Sequence, residues 1–222
     1  MSTPHVHVFD AYGTLFNVHA AIARHRAAAG PDADRFSEIW RVKQLEYAWT
    51  LTLAGHYADF WTLTERALDY AFDRVPTVSR ALRERLLDAY LTLDAFADAR
   101  AALSELKARG RRIAILSNGT PRMLDAAVQA SSISPLCDAV LSVDAVRLYK
   151  PRPQVYALVT DRFGIKPDEV VFVSSNRWDI MGAASFGFRT VWVNRAQMPR
   201  EYPHQPPAHT VSDLSALPSL VF

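Results

Sequence analysis

An open α/β sheet of parallel strands, interrupted by a helical insertion, is the fold class this chain predicts, and three observations carry that expectation. Short apolar, β-branched runs recur along the chain, helical patterns separate most of them, and a long segment after the first run has almost no strand character. The runs are residues 6–9, 112–116, 139–143, 170–173 and 190–193, each of strand length and read as a buried strand. Residues 98–109 form a helical pattern closed by Gly110. Residues 121–130 form another, opened by Thr120 as N-cap with Pro121 as its first residue. Strand and helix in alternation build right-handed βαβ units, so residues 1–15 and 98–222 are expected to form one discontinuous Rossmann-like core.

Residues 16–97 are expected to form an all-helical cap domain over the strand ends. Within them, 37–53 places Ile39, Trp40, Val42, Leu45, Ala48 and Trp49 mostly three and four residues apart, and 57–72 repeats such a pattern. The proline-punctuated stretch 199–207 reads as a surface loop.

Composition narrows the partners. The 222 residues carry 25 Lys and Arg against 23 Asp and Glu, a formal charge of +2. The basic residues are scattered among acids instead of forming a stripe, which argues against nucleic acid as a partner. Cys137 is the single cysteine, so no internal disulfide is expected. No apolar run has the length of a membrane span and no signal peptide is apparent, so the expected location is cytoplasmic.

The residues able to do chemistry cluster at the carboxyl ends of the predicted strands, where open α/β sheets bind ligands. Asp10 and Thr14 follow the first strand. Ser117 and Asn118, in a polar turn before a helix, follow the second. Lys150 comes after the third, just before Pro151 and Pro153, and the run from Ser174 to Asp179 follows the fourth. Asp10 is a candidate covalent nucleophile, or else a turn residue. Thr14 is a site hydroxyl or a helix cap, Lys150 a site cation or a solvated lysine, and Ser117 and Asn118 bind an anion or only satisfy their turn. Asp179 is a site acid or a helix N-terminal acid, and Arg41 on residue pattern alone is a surface ion-pair partner. Two residues beyond Asp10 stands Tyr12, which neither holds a hard cation as a carboxylate does nor readily protonates a leaving alkoxide at neutral pH. The pattern suits displacement of a leaving group that requires neither metal nor proton.

The chain resembles the haloacid dehalogenase superfamily, and within it the L-2-haloacid dehalogenases. Asp10 with Thr14, strand-end Ser117, the Lys150-Pro151 turn and the loop ending at Asp179 match the superfamily. More specific strings match the dehalogenases: residues 9–16, Phe-Asp-Ala-Tyr-Gly-Thr-Leu-Phe; 40–47, Trp-Arg-Val-Lys-Gln-Leu-Glu-Tyr; 57–61, Tyr-Ala-Asp-Phe-Trp; 117–119, Ser-Asn-Gly; and 172–176, Phe-Val-Ser-Ser-Asn. Superfamily phosphatases normally carry a second aspartate where this chain has Tyr12. Asn17 stands where many relatives have an acid.

The resemblance implies a two-step reaction without cofactor or metal. Asp10 attacks C2 of an L-2-haloalkanoate, halide leaves, and water then hydrolyses the ester on Asp10 to release the inverted 2-hydroxy acid. It implies that Ser117 and the backbone N–H groups near Ala11 and Tyr12 bind the substrate carboxylate, while Arg41, Asn118 and Trp178 cradle the halide. Tyr12, Leu45, Phe60 and Trp178 would be the apolar walls. Asp179 would be the base or water-orienting group, with Thr14, Lys150, Ser174 and Asn176 fixing water and oxyanion and Tyr156 assisting the charged network. A carboxylate beside Lys150 is expected to have a lowered pKa. A magnesium-dependent phosphatase of the same superfamily and a non-enzymatic binding relative are the competing readings. Trp40, Tyr47, Trp49 and Trp61 exceed what a small helical layer is expected to bury, which together with the habit of the family points to a homodimer.

Overall fold

A computed structural model describes residues 6–222; residues 1–5, the start of the predicted core, lie outside the described residues. The first strand, β1 (Val6–Phe9), leads into the helical segment: α1 (Ala20–Ala23), α2 (Arg26–Ala29), α3 (Ala33–Leu53), α4 (Phe60–Arg74) and α5 (Arg83–Leu91). The chain then continues with α6 (Ala99–Ala108), β2 (Arg112–Ser117), α7 (Pro121–Ala130), β3 (Ala139–Ser142), α8 (Pro153–Phe163), β4 (Val170–Ser174), α9 (Arg177–Phe186), β5 (Arg189–Val193) and β6 (His209–Val211).

The six strands form one parallel sheet in the order β3-β2-β1-β4-β5-β6. Strand order reverses between β1 and β4, and the carboxyl ends at that point open the crevice in which such sheets bind ligands. Phe9 pairs with Val173 across it, so Asp10 and Ser174 emerge side by side. β1 and β4 are wholly buried, as expected of central strands made of Val and Phe. The expectation that the third run is also buried is corrected: β3 is an edge strand with β2 as its neighbour, and Val140 is 36% exposed. β6, at the opposite edge, was not expected; three residues after a proline-rich stretch carry too little pattern to read as a strand. The stretch 199–207 has no regular helix or strand, as expected.

Local chemistry sets the helix ends. Thr120 accepts a hydrogen bond from Met123 N–H and Pro121 opens α7, a cap worth about 1 kcal/mol. Asp59 accepts from Thr62 N–H and starts α4 at Phe60, three residues later than the apolar pattern suggests. α3 begins at Ala33, ahead of Ser37, whose hydroxyl instead meets His19 Nδ1 at 2.7 Å. The inward face of α3 also differs from the expected one. Val42 is exposed, and Gln44 turns in, donating to Thr64 Oγ1 at 2.9 Å and accepting from Tyr90 OH at 3.2 Å. A buried amide satisfied on both sides replaces an apolar contact there.

The segment leaves and rejoins the core through two adjoining strands of backbone: Phe96 N–H donates to Leu15 O at 2.8 Å, and Asn17 N–H to Asp94 O at 2.9 Å. Its helices lie against the strand-end loops. The Tyr57 hydroxyl bonds the Asp144 carboxylate, Tyr149 OH donates to Ala58 O at 2.7 Å, and Trp49 meets Trp178 edge-on at 5.2 Å. Of the four aromatics expected to exceed what the helical layer buries, one is fully covered and three keep part of their surface exposed. Trp40 is buried, its indole N–H bonded to Thr64 O, and Tyr47, Trp49 and Trp61 are half-buried.

Candidate active site

Asp10 is held from several directions. Its Oδ2 accepts from Thr14 Oγ1 at 3.0 Å, Ser174 Oγ at 3.2 Å and Asn176 Nδ2 at 2.8 Å, while Oδ1 accepts from Lys150 Nζ at 3.1 Å. The two oxygens are therefore unequal: Oδ2 is saturated with donors, and Oδ1 keeps lone-pair capacity beyond its one ammonium contact. Gly13, next in the loop to Tyr12, adopts φ +93°, and a Cβ there would stand 3.3 Å from Ser175 Oγ, so glycine lets the loop turn tightly against the end of β4.

Lys150 is completely enclosed and bridges two carboxylates, reaching Asp179 Oδ2 at 2.8 Å as well as Asp10. Burial works against its charge, but the two carboxylates outweigh burial and hold the ammonium above its ordinary pKa. Tyr156 OH, on α8, donates to the other Asp179 oxygen at 2.8 Å. Burial first, and then the adjacent Asp179, push the Tyr156 phenol well above its usual range, so it stays a donor. The close packing of α8 on α9 depends on Gly182, where a Cβ would come within 2.5 Å of Pro151 Cβ and collide with the Tyr156 hydroxyl.

The expectation that Lys150 lowers the pKa of Asp179 is corrected. Asp179 is pushed up to about 6, because complete burial penalises its charge more than Lys150 rewards it, and the Asp10 charge adds to the rise. One ammonium serves two buried carboxylates.

A small cavity of about 10 Å³ is lined by Asp10 together with Tyr12, Arg41, Leu45, Phe60, Ser117, Asn118, Asn176 and Trp178. Every side chain expected to touch substrate is among them. Ala11, expected to contribute only its backbone, is in the adjoining loop, where among the described residues neither its N–H nor that of Tyr12 donates to a protein acceptor. Arg41 reaches the site from α3 and donates to Tyr12 O at 3.2 Å, which overturns the surface ion-pair reading. Asn118 uses its side-chain oxygen to accept from Lys150 N–H at 3.2 Å, so its NH₂ is the end left to act as a donor. Asp179 and Lys150 lie outside the lining, in the buried charged cluster where Lys150 bridges the carboxylates of Asp10 and Asp179.

Residue patterns alone missed several members of this arrangement. Ser175 ties the two central loops together, its N–H bonding Thr14 Oγ1 at 2.8 Å and its hydroxyl Gly13 O at 2.6 Å. It lay inside a recognised polar run, but nothing there distinguished it from its neighbours. Tyr90, stacked on Tyr12 at 5.7 Å, comes from α5 and carried no sequence signal.

The parallel sheet, the strand-end aspartate with its lysine and hydroxyl partners, and the helical cover set a carboxylate of the kind that serves as a nucleophile in an enclosed, polar site. The model of the haloacid dehalogenase-like hydrolases matches residues 5–187, and the chain belongs to that family. It is 49% identical to (S)-2-haloacid dehalogenase 1 of Pseudomonas sp. (strain CBS-3), over 96% of this chain and 95% of that protein. Identity with (S)-2-haloacid dehalogenase 4A of Burkholderia cepacia is 48%, over 95% and 91% respectively. The solved structure of the L-2-haloacid dehalogenase from Xanthobacter autotrophicus with chloropropionic acid covalently bound superposes with a TM-score of 0.88 at 36% identity, covering 98% of both chains.

Proposed function

We propose that this protein hydrolyses short-chain L-2-haloalkanoic acids to D-2-hydroxy acids and halide through an ester on Asp10. The observation that carries the reading is the unequal carboxylate of Asp10, which takes three side-chain donors on one oxygen and a single ammonium on the other and lines a small cavity together with Arg41 and Asn118. Similarity to the named dehalogenases supports the same reaction class, a hydrolase acting on carbon–halide bonds.

Residues 16–97 act in this reading as a cap on a core of 1–15 and 98–222, bringing Arg41 and Leu45 to the strand ends. Asp10 Oδ1 attacks C2 from the side opposite the halogen, and the carbon–halogen electron pair leaves as halide. Arg41 and Asn118 present N–H donors to that developing charge, Trp178 closes the cradle, and the apolar walls keep competing water away. Ser117 and the Ala11 and Tyr12 amides take the substrate carboxylate. Proximity supplies much of the rate, because nucleophile and carbon are confined in one small space.

In the ester, Oδ2 becomes the carbonyl oxygen, and the three donors already on it, from Thr14, Ser174 and Asn176, form an oxyanion hole for the attack of water. Asp179 is the base in this reading. A carboxyl titrating at about 6 is ionised at neutral pH yet basic enough to take a proton. Esterification of Oδ1 removes one acceptor of Lys150, which opens the contact through which water reaches Asp179. A protonated Asp179 can no longer serve, so ester hydrolysis falls on the acid side, with an apparent pKa below about 6 because the ester removes the Asp10 charge that helps to raise Asp179. In Asp179→Asn that limb disappears, turnover drops about 10²–10⁴-fold, and the ester accumulates on the protein as a mass increase in intact-protein mass spectrometry. An unaltered pH profile in that variant would remove Asp179 from the base role.

The deciding experiment is halide release from L- and D-2-chloropropionate measured separately, with and without EDTA. Release from the L-form alone, indifferent to EDTA, is the expected result. Inertness towards both, with phosphate release from phosphoesters in magnesium, would replace the reading with the phosphatase one, and inertness towards every substrate would leave a binding protein. A cytoplasmic homodimer completes the proposal, on the strength of the family resemblance. Light scattering at micromolar concentration gives twice the chain mass if it holds and the single-chain mass if it does not. No helix among the described residues is long and apolar enough to cross a membrane.

A further inference from the structure

The four apolar walls of the substrate cavity differ in what stands behind them. Tyr12 is backed by Tyr90 and Phe16, and Phe60 by Tyr149 and Tyr12, and all of these rings are at most 3% exposed. A substrate longer than the cavity cannot extend through either without disrupting close-packed core. Leu45 and Trp178 are only half-buried. Trp49 lies four residues beyond Leu45 on α3, one helical turn away, and packs edge-on against Trp178 at 5.2 Å and 81°.

Behind this pair lies a second space of about 440 Å³, lined by Trp49, Leu53, Pro151, Pro153, Trp178 and Met181 among others. Trp178 borders both spaces, so the two indoles are the partition between a cavity that fits little more than a methyl group and an apolar groove that fits a chain. The Trp49 N–H is buried without a hydrogen-bond partner among the described residues, so packing alone holds the ring, with no polar tie to break when it moves.

From the dehalogenase reading above, we infer that Trp49 sets the chain-length limit of the reaction. It braces Trp178 in the closed position, and the groove behind receives the alkyl tail of longer 2-haloalkanoates when the pair parts. Trp49 touches no reacting atom; it acts through Trp178 and is a specificity-determining residue.

The test compares kcat/KM for L-2-bromopropionate and L-2-bromohexanoate, by bromide release, in wild type, Trp49→Ala, Trp49→Phe and Leu53→Glu. Removing the brace in Trp49→Ala raises the hexanoate-to-propionate ratio about tenfold, the scale on which apolar pockets discriminate chain length. Phenylalanine, which keeps a ring against Trp178, restores most of the wild-type ratio. Leu53 is 83% exposed, so glutamate there leaves the fold and the propionate rate intact while placing a carboxylate in the groove, and the hexanoate rate falls. An equal loss on both substrates in Trp49→Ala assigns the ring a packing role only and overturns the inference, as does an unchanged ratio in Leu53→Glu. A wild-type protein inert towards 2-bromopropionate overturns the dehalogenase reading and this inference with it; activity on propionate with unmoved ratios overturns the inference alone.

Discussion

Replacing Asp10 by asparagine is expected to lower halide release by at least about 10⁴-fold, the scale on which catalytic groups acting as a unit fail when a central member is lost. The substitution keeps size and planar shape and removes the charge that the proposed attack requires. It also changes the site around it. Lys150 keeps Asp179 as its anionic partner, so the buried charges become balanced one to one where the native site has two carboxylates for one ammonium. The variant therefore folds with stability equal to or above wild type while losing activity, and urea unfolding alongside the halide assay checks both. Loss of activity together with loss of fold would mean that Asp10 is mainly a structural anchor of the β1 loop.

The largest effect on stability is expected at Lys150. Lys150→Met has similar length and fills the space, but it leaves Asp10 and Asp179 facing each other inside the protein without a cation. Breaking a buried charge arrangement by removing one partner costs about 3–5 kcal/mol, and the loss of the cation beside Asp10 lowers turnover about 10²–10³-fold. The pH dependence carries the sign. A carboxyl whose folded pKa is raised, as Asp179's is to about 6 from an ordinary 3.8, destabilises the fold when ionised. That cost is fully present above the folded pKa and is relieved as pH falls towards the unfolded value. Without Lys150 the folded pKa rises further. The stability gap between Lys150→Met and wild type is thus wide at pH 8 and narrower at pH 5. A gap independent of pH would mean that the lysine contributes through packing alone.

The strand-end residues of the site were legible in the sequence because the fold gathers them locally. Ser117 and Asn118 are the end and the exit of one strand, Ser174 and Asn176 those of another, and a strand-end position can be inferred once the strand is seen. Arg41, by contrast, joins the lining of the Asp10 cavity from a helix 31 positions later, and only the family resemblance gave it a role. The electrostatics of Asp179 were misread for a related reason. Its partner Lys150 was evident, but the depth at which the pair is enclosed depends on α8 packing tightly on α9 at Gly182, a close approach that appears only in three dimensions. The face of α3 was misjudged at Val42 and Gln44 because periodicity counts apolar residues and cannot foresee an amide that finds both a donor and an acceptor in the interior. β6 lacked the length to register as a pattern.

The place of β1 in the sheet also bears on how the molecule comes apart. β1 has two strands beyond it on one side and three on the other, whereas the helical segment begins with two helices of four residues each, α1 and α2. Short helices open at little cost and central strands open last. Gentle denaturation is therefore expected to loosen α1 and α2 before it disturbs the central strands, so that Asp10 at the end of β1 keeps its place while the start of the helical segment opens.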